Sequence, residues 1–394
     1  MKNERRIMTV VFLTNYMTPH QWALYEAFTQ RTDTDFYFIE CQDVDREKLP
    51  IGWRSQGDLP DRVVIEKQFR ARREFYDKLI AECDVVIFGA ASERLVINRL
   101  KAGKLTFRYS ERFYKKGLQE HTYIRNRLAA WLHHGRLQKY APYMLCASAY
   151  TAADAAVFGN YLGRCYKWGY FPECRRYDDV SALVKAKEPA SLLWTGRMLD
   201  WKHPEAAVEV AKRLKRDGYA FRLTMIGTGE KEEELKTLVR TEDLSDCISL
   251  VGQLSPEEVR DHMEKSEIFL FTSDRNEGWG AVLNEAMNSA CAVVASHAVG
   301  SIPFLVQHEK NGLIYRDGDI DDLYRNVRRL MDDAVLREEL SLRAYATIAD
   351  EWNAKNAVDK FMDLACRLLS DASDTNVHAD GVCSKAELLA DDWF

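Results

Sequence analysis

The chain has 394 residues, 46% of them apolar and 29% charged, and a formal net charge of −6. That length exceeds one core of usual size, and about 150 residues per domain implies two. No apolar run reaches the roughly 18 to 20 residues of a membrane span. Met1-Lys2-Asn3-Glu4-Arg5-Arg6 leads into a strand-like segment rather than a signal peptide, and nine scattered cysteines without a Cys-x-x-Cys pair argue against a disulfide or zinc framework. Reduced thiols and a cytosolic location are the expectation.

Strand-like and helix-like patterns alternate along the chain, the signature of parallel α/β layers. The first half predicts strands near Thr9 to Thr14, Asp35 to Ile39, Val63 to Glu66, Asp84 to Phe88, Lys104 to Phe107, Tyr143 to Cys146 and Arg164 to Trp168. Helices are predicted over Gln21 to Thr29, Arg72 to Glu82, Thr122 to Lys139 and Tyr150 to Phe158, the third on the spacing of Ile124, Leu128, Trp131 and Leu132. Gly52 to Pro60 reads as a turn-rich loop. These elements make a first domain over 1–172.

Prolines 172 and 189 flank a polar stretch, which places an interdomain linker at 173–189. The rhythm then restarts. Strands at Ser191 to Thr195, Phe221 to Ile226, Cys247 to Val251, Glu267 to Phe271 and Ala292 to Ala295 alternate with helices at His203 to Arg216, Glu230 to Arg240, Ser255 to Met263 and Gly280 to Ser289, forming a second domain over 190–348. A helix within 349–369 follows a completed domain and is expected to pack back on the first. The tail 370–394 is Asp-, Ser- and Ala-rich and is expected to be loosely ordered, apart from a short helix at Lys385 to Asp392.

Arg94 to Lys139 carries twelve cations against two carboxylates, a net of +10 that leaves −16 for the rest, and interleaves Tyr109, Phe113, Tyr114, Tyr123, Trp131 and other aromatics. A solvated helix face, a patch for anionic lipid or a phosphate-bearing acceptor, and a nucleic-acid surface are the three readings. The last is disfavoured, because no nucleic-acid module accompanies the charge and the chain as a whole is acidic.

The most informative stretch runs from Ser273 to Glu285, where Glu277-Gly278-Trp279-Gly280 and Glu285 bracket a turn after a short apolar strand. Ligands of open α/β sheets bind beyond the carboxyl ends of strands, where loop and helix-start NH groups face them. Eight residues at about 100° leave the two carboxylates roughly 80° out of line beyond two helical turns, so Glu277 must precede the helix if both are to converge. Gly196-Arg197 with Lys202 supplies two cations after another strand, suited to an anion. Ile226-Gly227-Thr228-Gly229 lets backbone approach a ligand, and is equally an ordinary tight turn. Val251-Gly252-Gln253-Leu254 is similar, with Ser255 and Glu258 as a capping box. In the first half, Thr18 and His20 follow the first strand, and Arg108 and Glu111 follow a later one; capping by Thr18 and an ion pair of Glu111 with Arg108 or Arg112 are the structural alternatives. His133-His134 lacks further ligands at metal spacing, so no metal site is assigned.

As an ordered set, Gly196-Arg197 with Lys202, the 226–229 and 251–254 loops, Glu277-Gly278-Trp279-Gly280 with Glu285, and Asn311-Gly312-Leu313-Ile314-Tyr315 resemble the family 4 retaining glycosyltransferases, a resemblance confined to about 190–350. It implies the GT-B fold: two Rossmann-like domains facing each other across a cleft, with a C-terminal helix returning to the first. It further implies transfer of a sugar from a nucleoside diphosphate sugar to a hydroxyl acceptor, with no cofactor and no divalent metal. The acceptor would be a glycan or a lipid-linked species in surface-polysaccharide assembly. From the +10 segment, not from the resemblance, come the expectations of an anionic membrane surface as a further partner and a position on the inner face of the plasma membrane. Catalytic roles would fall to Arg197 and Lys202 on the leaving diphosphate and Glu277 on the sugar. Donor binding would involve Gly196, Gly227, Gly229, Gly252, Leu254, Gly278, Trp279, Gly280 and Glu285, the last on the ribose. Thr18, His20, Arg108 and Glu111 are the acceptor-side candidates, where the chain departs from the family: Thr18-Pro19-His20-Gln21 replaces a glycine-rich loop, and Arg108-Tyr109-Ser110-Glu111 stands where many members carry a His. A non-catalytic nucleotide-sugar-binding protein and a nucleotide-sugar epimerase are the alternatives. A dinucleotide oxidoreductase is disfavoured because no Gly-x-Gly-x-x-Gly follows the first strand.

Overall fold

The computed structural model describes residues 7–42, 60–115, 117, 120–370 and 376–394. The start 1–6, the loop expected at Gly52 to Pro60 (Pro60 apart) and Lys116 lie outside the described residues. The chain divides into two compact units, 1–173 with 354–391 and 174–353 with 392–394.

The first unit holds seven strands: β1 (Met8–Thr14), β2 (Thr34–Glu40), β3 (Val63–Val64), β4 (Val85–Phe88), β5 (Thr106–Ser110), β6 (Tyr143–Cys146) and β7 (Cys165–Lys167). They form one parallel sheet in the order β3-β2-β1-β4-β5-β6-β7. Val10 to Leu13 and Val85 to Phe88 are fully buried, as expected for central strands covered on both faces. The sequence order reverses between β1 and β4, which opens a crevice at their carboxyl ends.

The second unit repeats this plan. Its strands are β8 (Glu188–Thr195), β9 (Arg222–Ile226), β10 (Ile248–Gly252), β11 (Ser266–Phe271), β12 (Ala292–Ser296) and β13 (Leu313–Tyr315), parallel in the order β10-β9-β8-β11-β12-β13. Order here reverses between β8 and β11. Helices Pro204–Arg216 and Pro256–Lys265 each begin with proline at the first turn, where no NH is needed. Ser255 and Glu258 form the expected capping box, with Ser255 N donating to Glu258 Oε2 at 2.9 Å and Glu258 N to Ser255 Oγ at 3.3 Å. The helices Ile320–Asp332 and Ala334–Ala346 complete the unit.

Four expectations change. The stretch 173–189 is not a free connector: from Cys174 onward it belongs to the second unit, with a helix at Val180–Lys185 and Tyr177 Oη donating to Glu264 at 2.6 Å. Lys187 is buried and donates to the carbonyls of Met263, Glu264 and Ser289, which anchors the stretch where composition suggested solvent. The helix Ala354–Leu369 does return to the first unit, where Phe361 packs on Phe28, Phe107 and Trp168 at ring separations of 5.9, 5.2 and 5.8 Å. Beyond it, the tail is not loose over its described part. Val382, Cys383 and Ser384 are buried, Cys383 N donates to Lys167 O at 2.8 Å, and Lys385 bridges Tyr166 in antiparallel fashion, so backbone pairing with the edge strand β7 offsets the polar composition. No helix forms over Lys385 to Asp392. Finally, the helix predicted over Thr122 to Lys139 ends at His133 and continues as a 3₁₀ segment Gly135–Tyr140, and its apolar side faces outward rather than into the core.

All nine cysteines are free thiols. Burial pushes the Cys83 thiol up to about 11 and Cys41 up to about 12, which keeps both protonated and unreactive at neutral pH.

Candidate functional site

In the second unit the loops after β8, β9, β10 and β11 gather at the carboxyl edge, and glycines permit the approach. A Cβ on Gly227 would fall 1.9 Å from Gly196 O, and the residue sits at φ +126°. One on Gly229 would meet Met198 O at 2.5 Å. Main-chain bonds hold the loops together: Gly196 N donates to Ile226 O (3.0 Å), Met198 N to Thr228 O (2.8 Å), Gly227 N to Gly252 O (2.7 Å) and Asp274 N to Trp201 O (2.9 Å). Gly227 and Gly229 thus serve loop-on-loop packing, whatever else their NH groups do. Leu254 is half-buried beside this edge.

The loop after β11 carries Glu277 ahead of the helix Val282–Asn288, which has Glu285 in its first turn, so the order needed for the two carboxylates to converge is present. Glu277 pairs directly with Lys202 from the loop after β8, and both side chains are largely shielded from water. Thr272 supports the pair: its hydroxyl donates to Lys202 O at 2.6 Å and accepts from Trp194 Nε1 at 2.8 Å. Gly280, at φ +79°, lets the loop lie on Phe271, whose ring would be 2.3 Å from an added Cβ. Gly278 is buried in the same turn. Trp279 is fully buried with Nε1 on Asn284 Oδ1 at 2.9 Å, so its indole builds the core and only its backbone faces the loop. Arg197 is exposed and makes no ion pair among the described residues, which leaves it available to an anion.

The sequence places His203 at the start of a helix and gives it no role in the site. It makes no side-chain cap bond; in left-handed conformation (φ 46°) it places Nδ1 3.0 Å from Glu205 Oε1 and Nε2 3.5 Å from Asp274 Oδ2. The hydrogen bond to Glu205 raises the imidazole pKa against the opposing effect of burial, with Asp274 and Asp317 adding to the rise. His203 therefore ties the Lys202 loop to the Glu277 loop, and the adjacency Lys202-His203-Pro204 was its only signal.

In the first unit, Thr18 caps the helix Pro19–Thr29: its NH and hydroxyl donate to Gln21 Oε1 at 2.9 and 3.1 Å. His20 stacks on Tyr170 at 5.9 Å, and Tyr170 Oη donates to Glu111 Oε1 at 2.5 Å. Glu111 also takes Lys115 Nζ at 2.6 Å, not Arg108 or Arg112 as the ion-pair alternative required. Arg112 is buried on Asp154 and Asp391. Tyr109 faces Tyr170, so Arg108, its neighbour on β5, points to the other face of the sheet, toward Glu93 at 3.6 Å and over the Phe88 ring. His20, Glu111 and the unpredicted Tyr170 thus come together; Arg108 does not join them.

The +10 segment is likewise divided. Arg99 is buried, with its guanidinium on the carbonyls of Ile80, Cys83, Asp84 and Leu105, whereas Arg125, Arg127, Arg136 and Lys139 are exposed. No group of three or more His, Cys, Asp or Glu side chains able to hold a metal occurs among the described residues.

Residues 177–347 match the family described as glycosyl transferases group 1. The chain is 32% identical over 186 residues to the amylovoran biosynthesis glycosyltransferase AmsK of Erwinia amylovora, an alignment covering 46% of each chain. It is 27% identical over 169 residues to the alpha-D-kanosaminyltransferase of Streptomyces kanamyceticus, 43% of each. The chain thus spans about half the length of the curated relatives it matches. Among solved structures, Anabaena HepE in complex with UDP aligns with TM-score 0.66 over 90% of this chain and 100% of its own at 13% identity, and TarM with TM-score 0.66 over 91% and 99% at 10% identity. These neighbours show the fold, which is GT-B.

Proposed function

We propose that this protein is a retaining glycosyltransferase that moves a sugar from a nucleoside diphosphate sugar, bound by the second unit, to a hydroxyl of a glycan or lipid-linked acceptor in polysaccharide biosynthesis. The observation that carries the reading is the Lys202–Glu277 pair, built from the two loops that flank the switch point between β8 and β11, with the exposed Arg197 on the same loop as Lys202. The match of residues 177–347 supports it, as does the naming of relatives for amylovoran and colanic acid biosynthesis.

In this reading Arg197 and Lys202 hold the donor diphosphate and stabilise the charge on the departing nucleotide, the contribution a divalent ion makes in other enzymes. Glu277 takes sugar hydroxyls while orienting Lys202, and Glu285 takes the ribose. The backbone of Gly278 to Gly280 borders the phosphate and sugar, and Gly196, Gly227, Gly229, Gly252 and Leu254 line the nucleotide. His20, Tyr170 and Glu111 are the acceptor-side groups, with Glu111 oriented by Tyr170 and Lys115. The basic stretch of the first unit serves an anionic acceptor or membrane face. No protein nucleophile is assigned; same-face attack assisted by the leaving phosphate is the proposed route.

Thermal-shift measurements against UDP, GDP and ADP sugars, followed by transfer assays with the best donor in the presence of EDTA, test this. The expected product keeps the anomeric configuration of the donor and forms at an undiminished rate with chelator. An inverted product rules out the retaining mechanism, dependence on added metal rules out the cationic leaving-group account, and donor binding without transfer to any hydroxyl acceptor favours a non-catalytic binding protein.

A further inference from the structure

The helix Tyr123–His133 turns its apolar side to solvent. Ile124 is 83% exposed, Leu128 and Trp131 57% each, and Tyr123 and Leu132 are also exposed; Ala130 is the one residue of the helix that is buried. At about 100° per residue, Ile124, Leu128, Trp131 and Leu132 fall within an arc of about 100°, the width of a stripe normally packed against a core. Arg127 and Arg125 border the arc on either side, and Arg136 and Lys139 follow in the next turns, all exposed. The stripe does not end at the helix. Tyr123 packs on Phe158 at 5.5 Å, next to exposed Val157, and Trp131 lies against Gly135 beside Asn160, two residues from exposed Leu162.

Charge decides what covers this face. From His121 to Pro142 the chain has no Asp or Glu. Glu93 approaches the helix only at His133, 3.2 Å away and about 180° around from Ile124. A second copy of the helix would set arginine borders against arginine borders with no carboxylate between them. A nucleic acid would satisfy the cations but not an Ile-Leu-Trp stripe. A bilayer with anionic headgroups satisfies both: apolar side chains enter the acyl boundary while arginine and lysine stems lie along it and their heads reach lipid phosphates, and Trp and Tyr suit the interface.

We propose that the outward face of the helix Tyr123–His133 is a membrane-docking surface, inserting Ile124, Leu128 and Trp131 into an anionic bilayer with Arg125, Arg127, Arg136 and Lys139 on its phosphates. The inference deepens the reading of a lipid-linked acceptor by naming where the protein meets the lipid, but docking itself does not depend on transfer.

The test is sedimentation of the full chain with phosphatidylglycerol–phosphatidylcholine vesicles and with phosphatidylcholine alone. Wild type is expected in the anionic pellet, Ile124→Glu/Leu128→Glu is expected to bind at least about tenfold more weakly, and Arg125→Gln/Arg127→Gln several-fold more weakly, with melting temperatures within error of wild type. Trp131→Phe should abolish most of the blue shift of tryptophan emission seen on vesicle addition. Equal recovery of wild type with both vesicles, wild-type binding by Ile124→Glu/Leu128→Glu, or a lipid-free dimer that these substitutions dissociate would each overturn the proposal. Transfer to a soluble acceptor separates the two readings: it should survive Ile124→Glu/Leu128→Glu, and failure of transfer in wild type with docking intact would strike the enzymatic reading alone.

Discussion

The two sheets share one plan, parallel strands with a reversal of order beside the first strand of each, but their carboxyl edges are held by different means. In the second unit the main chain does most of the holding: four successive loops bond to one another through NH and carbonyl groups, and glycines allow contact distances no side chain would tolerate. In the first unit the candidate groups are positioned by side chains brought from far apart in sequence, a His20–Tyr170 stack and a Tyr170–Glu111 hydrogen bond. A main-chain lattice specifies geometry through residue types that nothing else can replace. A side-chain network can be rebuilt with other residues, so the first-unit edge tolerates changes that the second would not.

The sharpest way to break that contrast is to add one carbon to each edge. Gly227→Ala puts a Cβ into Gly196 O at a φ of +126°, so the loops must separate; we expect a loss of at least about 3 kcal/mol in denaturant unfolding together with loss of donor binding. Gly89→Ala, at the equivalent end of β4, meets Thr14 Oγ1 and Tyr109 Cδ1 at 3.2 Å, side-chain atoms with room to give, and should cost nearer 1 kcal/mol. Similar losses at the two positions would refute the distinction.

Charge within the second unit's edge comes next in size. Arg197→Ala and Lys202→Ala should each lower turnover about 10²- to 10³-fold, with nucleoside diphosphate affinity changed much less, because stabilisation of a departing phosphate is worth most in the transition state. Lys202→Ala has an added effect that Arg197→Ala lacks: it leaves Glu277 without its partner in a shielded position, so donor-sugar affinity should fall as well. Normal turnover in both variants at saturating donor would remove the leaving-group role.

The same contrast explains what could be read from the residues. β8 to β12 and the loop positions of Arg197, Lys202 and Glu277 were legible because they rest on strand periodicity and glycine-bearing turns, which are local; the return of the C-terminal helix followed only from its place after a completed domain. Tyr170 was not, since its role comes from a ring and a hydroxyl meeting residues about 60 and 150 positions away in the chain. The helix at Tyr123–His133 was legible from the spacing of Ile124, Leu128 and Trp131, but spacing says only that one face is apolar, not that the core lies against it. For the same reason the charge total over Arg94 to Lys139 concealed that Arg99 and Arg112 are internal struts. The tail was misjudged because composition does not reveal an edge strand waiting for a partner.

On the first-unit edge the effect should be smaller and confined to one substrate. Tyr170→Phe keeps the stack with His20 and removes the hydroxyl that donates to Glu111 and also bonds Tyr109, so roughly a three- to tenfold rise in acceptor KM is expected with donor KM unchanged, a hydrogen bond to a charged group being worth about 1.5 to 3 kcal/mol at most. A matching rise in donor KM would place Tyr170 outside an acceptor role.

The smallest expected effect concerns the His203 clamp at the carboxyl edge of the second unit. His203 faces Glu205 and Asp274, with Asp317 nearby, and its pKa is raised by the bond to Glu205 and by the surrounding carboxylates. Its charged form is thus favoured in the folded protein. The stabilisation it contributes is complete below the unfolded imidazole value of about 6.5 and is lost as pH rises through the higher folded value. Because the ring is more than a third exposed, solvent screens the pairs and the contribution should stay below about 1 kcal/mol. Wild-type stability should therefore decline over the range just above pH 6.5, and His203→Gln should flatten that decline. Asp317, whose burial raises its own carboxyl pKa, faces the same imidazole, so Asp317→Asn serves as the control: it should shift the wild-type decline to lower pH without abolishing it. An unchanged pH slope in His203→Gln would show that the Lys202 and Glu277 loops are held by their main-chain bonds and the Lys202–Glu277 pair without help from the imidazole.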